Sequence, residues 1–83
     1  MEELEQRSHF VATVWDAFCS RYRIERLSIR PDEYELARRW AMLGVPLATV
    51  LRGIDETAGE PRTLMACERA VSENVARWQK AMA

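Results

Sequence analysis

Trp40-Ala41-Met42-Leu43-Gly44-Val45-Pro46-Leu47-Ala48-Thr49-Val50-Leu51-Arg52-Gly53-Ile54 is the stretch that decides the fold. It reads as an apolar helix end, a short turn and a second apolar helix. Gly44 supplies the left-handed residue that commonly closes a helix. Pro46 starts the next helix, because its fixed φ is already helical and its missing N–H is not needed in a first turn. Leu47, Val50, Leu51 and Ile54 then recur at helical spacing as a buried stripe, and Ala48 and Gly53 are small enough to admit a neighbouring helix.

Upstream, Pro31 repeats the device of Pro46, with Asp32 and Glu33 in the first turn. The pattern predicts a helix over 31–43 whose inward side carries Tyr34 or Glu35, Leu36, Ala37, Trp40 and Leu43, with Arg38 and Arg39 outward. Together with a helix over about 46–58, ended by Gly59-Glu60-Pro61, it makes a tight helical hairpin at 31–58.

The flanks are longer helices. Leu4, Val11, Val14, Trp15, Phe18, Cys19 and Tyr22 recur with a period of 3.6, predicting a helix over about 2–26. Glu2, Glu3 and Glu5 open it and Arg21, Arg23 and Arg26 close it, an order that suits the helix dipole. Leu64, Cys67, Val71, Val75, Trp78 and Met82 form the cleanest amphipathic stripe in the chain and predict a helix over about 63–82. No segment alternates with period two. The expectation is therefore a single all-α domain over residues 1–83, a compact bundle of four helices with Trp15, Trp40 and Trp78 meeting in its core.

Bulk properties narrow the function classes. The 83 residues include 12 basic and 13 acidic side chains, for a net charge of −1, so no global positive field draws in nucleic acid. Hydrophobic residues make up 48 % and charged ones 30 %, the balance of a chain that folds. Cys19 and Cys67 lie far apart without a CxxC or a histidine at ligand spacing, and read as two inward free thiols. Neither a signal-peptide pattern nor a membrane-length apolar run is present, and the expected location is cytoplasmic.

His9, the single histidine, has no metal-spaced companion, and no P-loop, GxGxxG or nucleophile-elbow pattern occurs. The expectation is a protein without catalytic residues, metal or cofactor.

Two resemblances bear on the hairpin. Gly44, Val45, Thr49, Val50 and Arg52 resemble the centre of a helix-turn-helix motif, which implies DNA reading by the helix after Pro46. The residues expected to point outward there are Pro46, Leu47, Ala48, Leu51, Arg52 and Asp55, of which only Arg52 can contact a base edge bidentately. Over residues 32–78, Trp40, Gly44, Pro46-Leu47, Val50-Leu51, Ile54, Ala58, Thr63-Leu64 and a last helix ending in Trp78 resemble the C-terminal helical domain of DnaD-type primosomal proteins. That resemblance implies a non-catalytic role in assembly around single-stranded or remodelled DNA and in helicase recruitment. Ala66 stands where that family carries a Tyr, and Trp78 comes a turn late.

The reading the residues support first is a non-enzymatic interaction module, an adaptor or small subunit that presents a helix face to a protein partner or to another copy of itself. A DNA-binding protein of helix-turn-helix type and a phage or mobile-element inhibitor acting by protein binding are the alternatives. Candidate partner or nucleic-acid contacts are Phe10, Tyr34, Leu47 and Leu51 for apolar surface, and Arg23, Arg26, Arg30 and Arg52 for anions.

Overall fold

The ends of α1, α2 and α3 trace to identifiable backbone and side-chain caps. The structure is a computed structural model that describes residues 2–26 and 28–83, with side chains described from residue 8 onward. The sequence-based roles of Leu4 and of the opening acids Glu2, Glu3 and Glu5 lie outside those side chains. The elements are α1 (Glu2–Tyr22), α2 (Pro31–Met42), α3 (Leu47–Glu56) and α4 (Glu68–Met82), the last entered through a 3-10 turn at Leu64–Cys67. Among the described residues there is no strand, and the architecture is the all-α bundle of four helices that the apolar periodicity implies.

The hairpin turn forms as its residues dictate. Gly44 has φ 72°, its N–H donates to Ala41 O (3.1 Å), and the Val45 N–H donates to Trp40 O (3.3 Å). This is the paired bonding of a Schellman cap, which satisfies carbonyls at the end of α2 that have no intrahelical partner. Val45 beyond it is buried, while Leu43, expected inward, is 70 % exposed. Pro46 sits just outside α3, and its carbonyl accepts from the Thr49 and Val50 N–H groups.

α1 stops earlier than the expected 26. The Ile24 N–H donates to Cys19 O (3.0 Å) and Arg23 takes φ 53°, so the same kind of cap closes this helix with an arginine in the position that glycine usually fills. Arg21 alone among the closing arginines lies in the last turn. α3 likewise stops at Glu56 instead of 58. The Thr57 hydroxyl donates to Gly53 O (2.9 Å), and the Tyr22 hydroxyl lies within hydrogen-bond reach of the Ile54 and Thr57 carbonyls. Side chains thus occupy the C-terminal carbonyls of α3, one of them reaching across from α1. The expected fourth helix opens as the 3-10 turn after an extended Thr63, and Met82 at its far end is 71 % exposed.

The core draws on every element: Val11, Val14 and Phe18 from α1, Leu36, Ala37 and Trp40 from α2, Val50 and Ile54 from α3, Leu64 and Cys67 from the 3-10 turn and Val71 from α4. Of the three tryptophans only Trp40 is fully buried. Trp15 and Trp78 are half-buried against the core, and Trp15 pairs with Phe18 at 5.9 Å between ring centroids, so the expected cluster of three is replaced by a Trp15–Phe18–Tyr22 run on α1. Tyr34 and Glu35 are exposed; the inward side of α2 is Glu33, Leu36, Ala37 and Trp40.

α3 and α4 make the most extensive helix contact, α1 packs on both α2 and α3, and Gly53 sets the closest approach. A Cβ on Gly53 would stand 2.5 Å from Val71 Cα and 2.8 Å from Val71 N, both backbone atoms that cannot swing aside. Ala48, the other small residue of α3, is exposed and takes no part. Gly53→Ala is therefore expected to destabilise the fold by about 1–3 kcal/mol, the range of overpacking, despite alanine's better helix propensity. A fall in the urea midpoint at unchanged slope would register it, and an unchanged midpoint would show that α4 moves away without cost.

Candidate functional site

Glu33 is a charged residue with 0 % exposure, and the site is built around it. It lies in the first turn of α2, on the same face as Leu36 and Trp40. Its carboxylate accepts four hydrogen bonds: from Arg26 Nη1 (2.7 Å) and Nη2 (2.8 Å), from the Arg30 N–H (3.1 Å) and from the Leu64 N–H (2.8 Å). Burial pushes the Glu33 pKa up, but the Arg26 hydrogen bonds, the two backbone donors and the Arg26 charge outweigh it and hold the carboxyl at about 2. The same contact raises Arg26 above its ordinary value. Arg26 Nη2 also donates to Arg62 O (3.0 Å). One ion pair thus ties the α1–α2 connector, the start of α2 and the α3–α4 connector together.

Arg26 has a second contact. Its guanidinium carbon lies 5.0 Å from the centroid of the Trp15 ring, within cation–π range. Trp15 in turn lines a shallow apolar groove of about 360 Å3 between α1 and α2, with Ser8, Val11 and Ala12 on one wall, Tyr34 on the other and Ser28 and Ile29 of the connector closing one end. Tyr34 is 43 % exposed.

The connector has a different opposite side. Two adjoining depressions of about 500 and 470 Å3 lie there, the first lined by Arg21, Tyr22, Arg23, Ile24, Gly59, Glu60 and Arg62, the second by Arg23, Ile24, Glu25, Arg26, Arg30, Arg62 and Thr63. Arg21 pairs with Asp55 (2.8 Å) and Arg30 with Asp32 (3.2 Å), both exposed pairs of small energetic weight.

The residues singled out from sequence divide accordingly. Arg23, Arg26 and Arg30 do come together, although Arg26 is the structural partner of Glu33 and not a helix-dipole residue at the end of α1. Tyr34 lines the apolar groove. Phe10 is half-buried against the core, so the apolar face of α1 is wide and this aromatic is not left on the surface. Leu47 and Leu51 are also half-buried against the core. The exposed residues of α3 include Ala48, Arg52 and Asp55, with Pro46 just before them, and Asp55 is engaged by Arg21. Arg52 lines none of these surfaces.

Trp15, Ile29, Glu33 and Arg62 belong to these surfaces without being among the contact residues that the sequence suggests. For Glu33 a signal exists: the spacing Glu33, Leu36, Ala37, Trp40 is a helical stripe in which one member is charged, and Glu at the third helical position can bond back to the residue before the helix. Arg62 had no such signal, since it enters the site through its position on a connector.

Among the described residues no group of three His, Cys, Asp or Glu side chains is placed to hold a metal, and no helix is long and apolar enough to cross a membrane. Both cysteines are free; burial raises the thiol pKa of Cys19 and of Cys67, which keeps them protonated and poorly nucleophilic. No family model matches the chain, and no curated protein or solved structure shows significant similarity to it.

The Glu33 contacts set a pH dependence. Because its carboxyl titrates at about 2 in the fold against an ordinary 4.5, the stabilisation is fully present above about 4.5 and is lost as pH falls from there towards 2. The loss expected is about 3 kcal/mol. Glu33→Gln should cost a similar amount at neutral pH, since it leaves Arg26 facing a neutral group. Urea unfolding between pH 7 and pH 2 tests both. The wild-type midpoint should drop below pH 4.5 and that of Glu33→Gln should drop less; parallel curves would assign the acid sensitivity to other carboxylates.

Proposed function

We propose that the chain is a non-enzymatic helical interaction module that receives an apolar segment of a protein partner in the groove between α1 and α2. The observation that carries this reading is the groove itself: Val11, Ala12, Trp15, Ile29 and Tyr34 border one apolar depression among the described residues. Apolar clefts flanked by aromatic side chains are where anchor residues of partner helices dock. At about 360 Å3 the groove takes one or two large side chains, which suits a short segment better than an extended oligomer seam.

The alternative of a DNA reader rests on Arg52 as the one base-contacting donor exposed on α3, and the overall charge of −1 gives it no long-range help. A cytoplasmic adaptor or small subunit is the setting in which an apolar groove and two free thiols fit together.

Ala12 is exposed on the groove wall, so a longer side chain there fills the groove without entering the core. Ala12→Arg is expected to leave thermal stability within about 0.5 kcal/mol of wild type. It should weaken partner capture or self-association about 10- to 100-fold, the equivalent of one lost apolar anchor. Quantitative affinity capture and sedimentation with the two proteins side by side make the comparison. A partner set and an oligomeric state unchanged by Ala12→Arg would rule out the groove as the binding surface.

A further inference from the structure

Trp15 is the largest side chain bordering the apolar groove, and its ring is half-buried. It meets one aromatic partner and one cation. Phe18 lies 5.9 Å away between centroids with the planes 32° apart. Phe18 belongs to the same helix, so it backs the ring against the core without tying it to the connector that closes the groove. Arg26 does come from that connector, and its guanidinium carbon stands over the indole, 5.0 Å from the ring centroid.

The cation is itself clamped. Arg26 Nη1 and Nη2 donate to the two Glu33 carboxylate oxygens at 2.7 and 2.8 Å, and Nη2 donates again to the Arg62 carbonyl at 3.0 Å. Glu33 has no exposed surface and is held in turn by the Arg30 and Leu64 N–H groups. An arginine on a free stem must give up rotamer freedom before it can stack on a ring, and that cost offsets much of the attraction. Here the fork to Glu33 has already fixed the guanidinium plane, so covering the indole costs little further ordering. The Arg26 side chain is also only 34 % exposed, and partial desolvation strengthens its attraction to the ring.

We infer that Arg26 is a positioning residue of the groove: its clamped guanidinium fixes the Trp15 indole as one wall, and through it the buried Glu33 carboxylate, which does not border the groove, sets the shape of the docking surface. Arg26 acts through Trp15 and is not itself a contact for the partner. The effect on binding rests on the reading of the groove as a docking surface, whereas the positioning of Trp15 does not. Lysine is no substitute in this role, because a compact ammonium on a flexible stem neither forks to the carboxylate nor lies flat on a ring.

The indole N–H signals of the full 15N-labelled chain test the inference, because Trp15, Trp40 and Trp78 report separately. In the wild type the Trp15 indole should relax as an ordered group, like that of buried Trp40. Arg26→Lys should shift the Trp15 signal and raise its mobility while Trp40 and Trp78 keep theirs. Trp78 is half-buried as Trp15 is, so it controls for a general loosening of the fold. Should Arg26→Lys fail to fold, Arg26→Gln combined with Glu33→Gln removes both charges and leaves no lone carboxylate in the core; the same change confined to Trp15 is expected. An unaltered Trp15 signal in the folded variant, or equal changes at all three tryptophans, would overturn the inference. The partner capture that tests the groove keeps the two readings apart. If Ala12→Arg leaves capture unchanged while Trp15 responds to Arg26, the docking reading falls and the positioning of Trp15 stands; if Ala12→Arg weakens capture and Trp15 ignores Arg26, the groove stands and this inference falls. Where both hold, Arg26→Lys lowers the same capture, to a smaller extent than Ala12→Arg, because it loosens a wall without filling the groove.

Discussion

A carboxylate with no exposed surface survives in this fold because every part of it is answered. Glu33 loses its hydration in an 83-residue chain that can form only one modest core, and the cost of such a loss is several kcal/mol unless geometry restores it. The bidentate Arg26 fork and two backbone N–H donors restore it at 2.7–3.1 Å. The connectors depend on this. The described residues of the α1–α2 connector form no regular structure beyond the turn at Arg23, and Thr63 is extended before the 3-10 turn, yet both connectors are pinned to one side chain. Tyr22 makes a similar cross-link at the end of α3.

That pin also places the surfaces. Arg26 lies between Trp15, which borders the apolar groove, and Glu33, which reaches the Leu64 backbone. The connector between α1 and α2 is therefore a wall with an apolar side, bearing Ile29, and a basic side, bearing Arg23 and Arg30. Its position follows from an ion pair buried at one end and one-third exposed at the other, with the Arg26 side chain at 34 % and Glu33 at 0 %.

Much of the fold is legible in local chemistry. Pro31, Gly44 and Pro46 act through backbone constraints that do not depend on distant residues, so the hairpin forms as its sequence implies. The stripe of α4 is legible for the same reason up to Trp78, but Met82 at its end is 71 % exposed. What is not legible depends on tertiary partners. Arg23 occupies a backbone conformation for which its residue type gives no warning. Glu33 reads as a solvated first-turn acid until Arg26 and Leu64 arrive from elsewhere in the chain; the inward face of α2 keeps the expected Leu36, Ala37 and Trp40, but Glu33 takes the place of Tyr34 or Glu35 at its start and Leu43 is left exposed at its end.

The arginines show the same distinction in energetic form. In sequence, Arg21, Arg23, Arg26 and Arg30 form one basic cluster close to the end of a helix. In the fold they hold three different positions: Arg26 neutralises a buried acid, Arg21 and Arg30 join exposed pairs that cost little to break, and Arg23 joins no pair among the described residues. A count of charges near a groove therefore overstates its field. The potential that an incoming ligand meets is set by the charges left after pairing, and here a residue from another connector, Arg62, contributes to it while Arg26, the most deeply engaged of the four, contributes least.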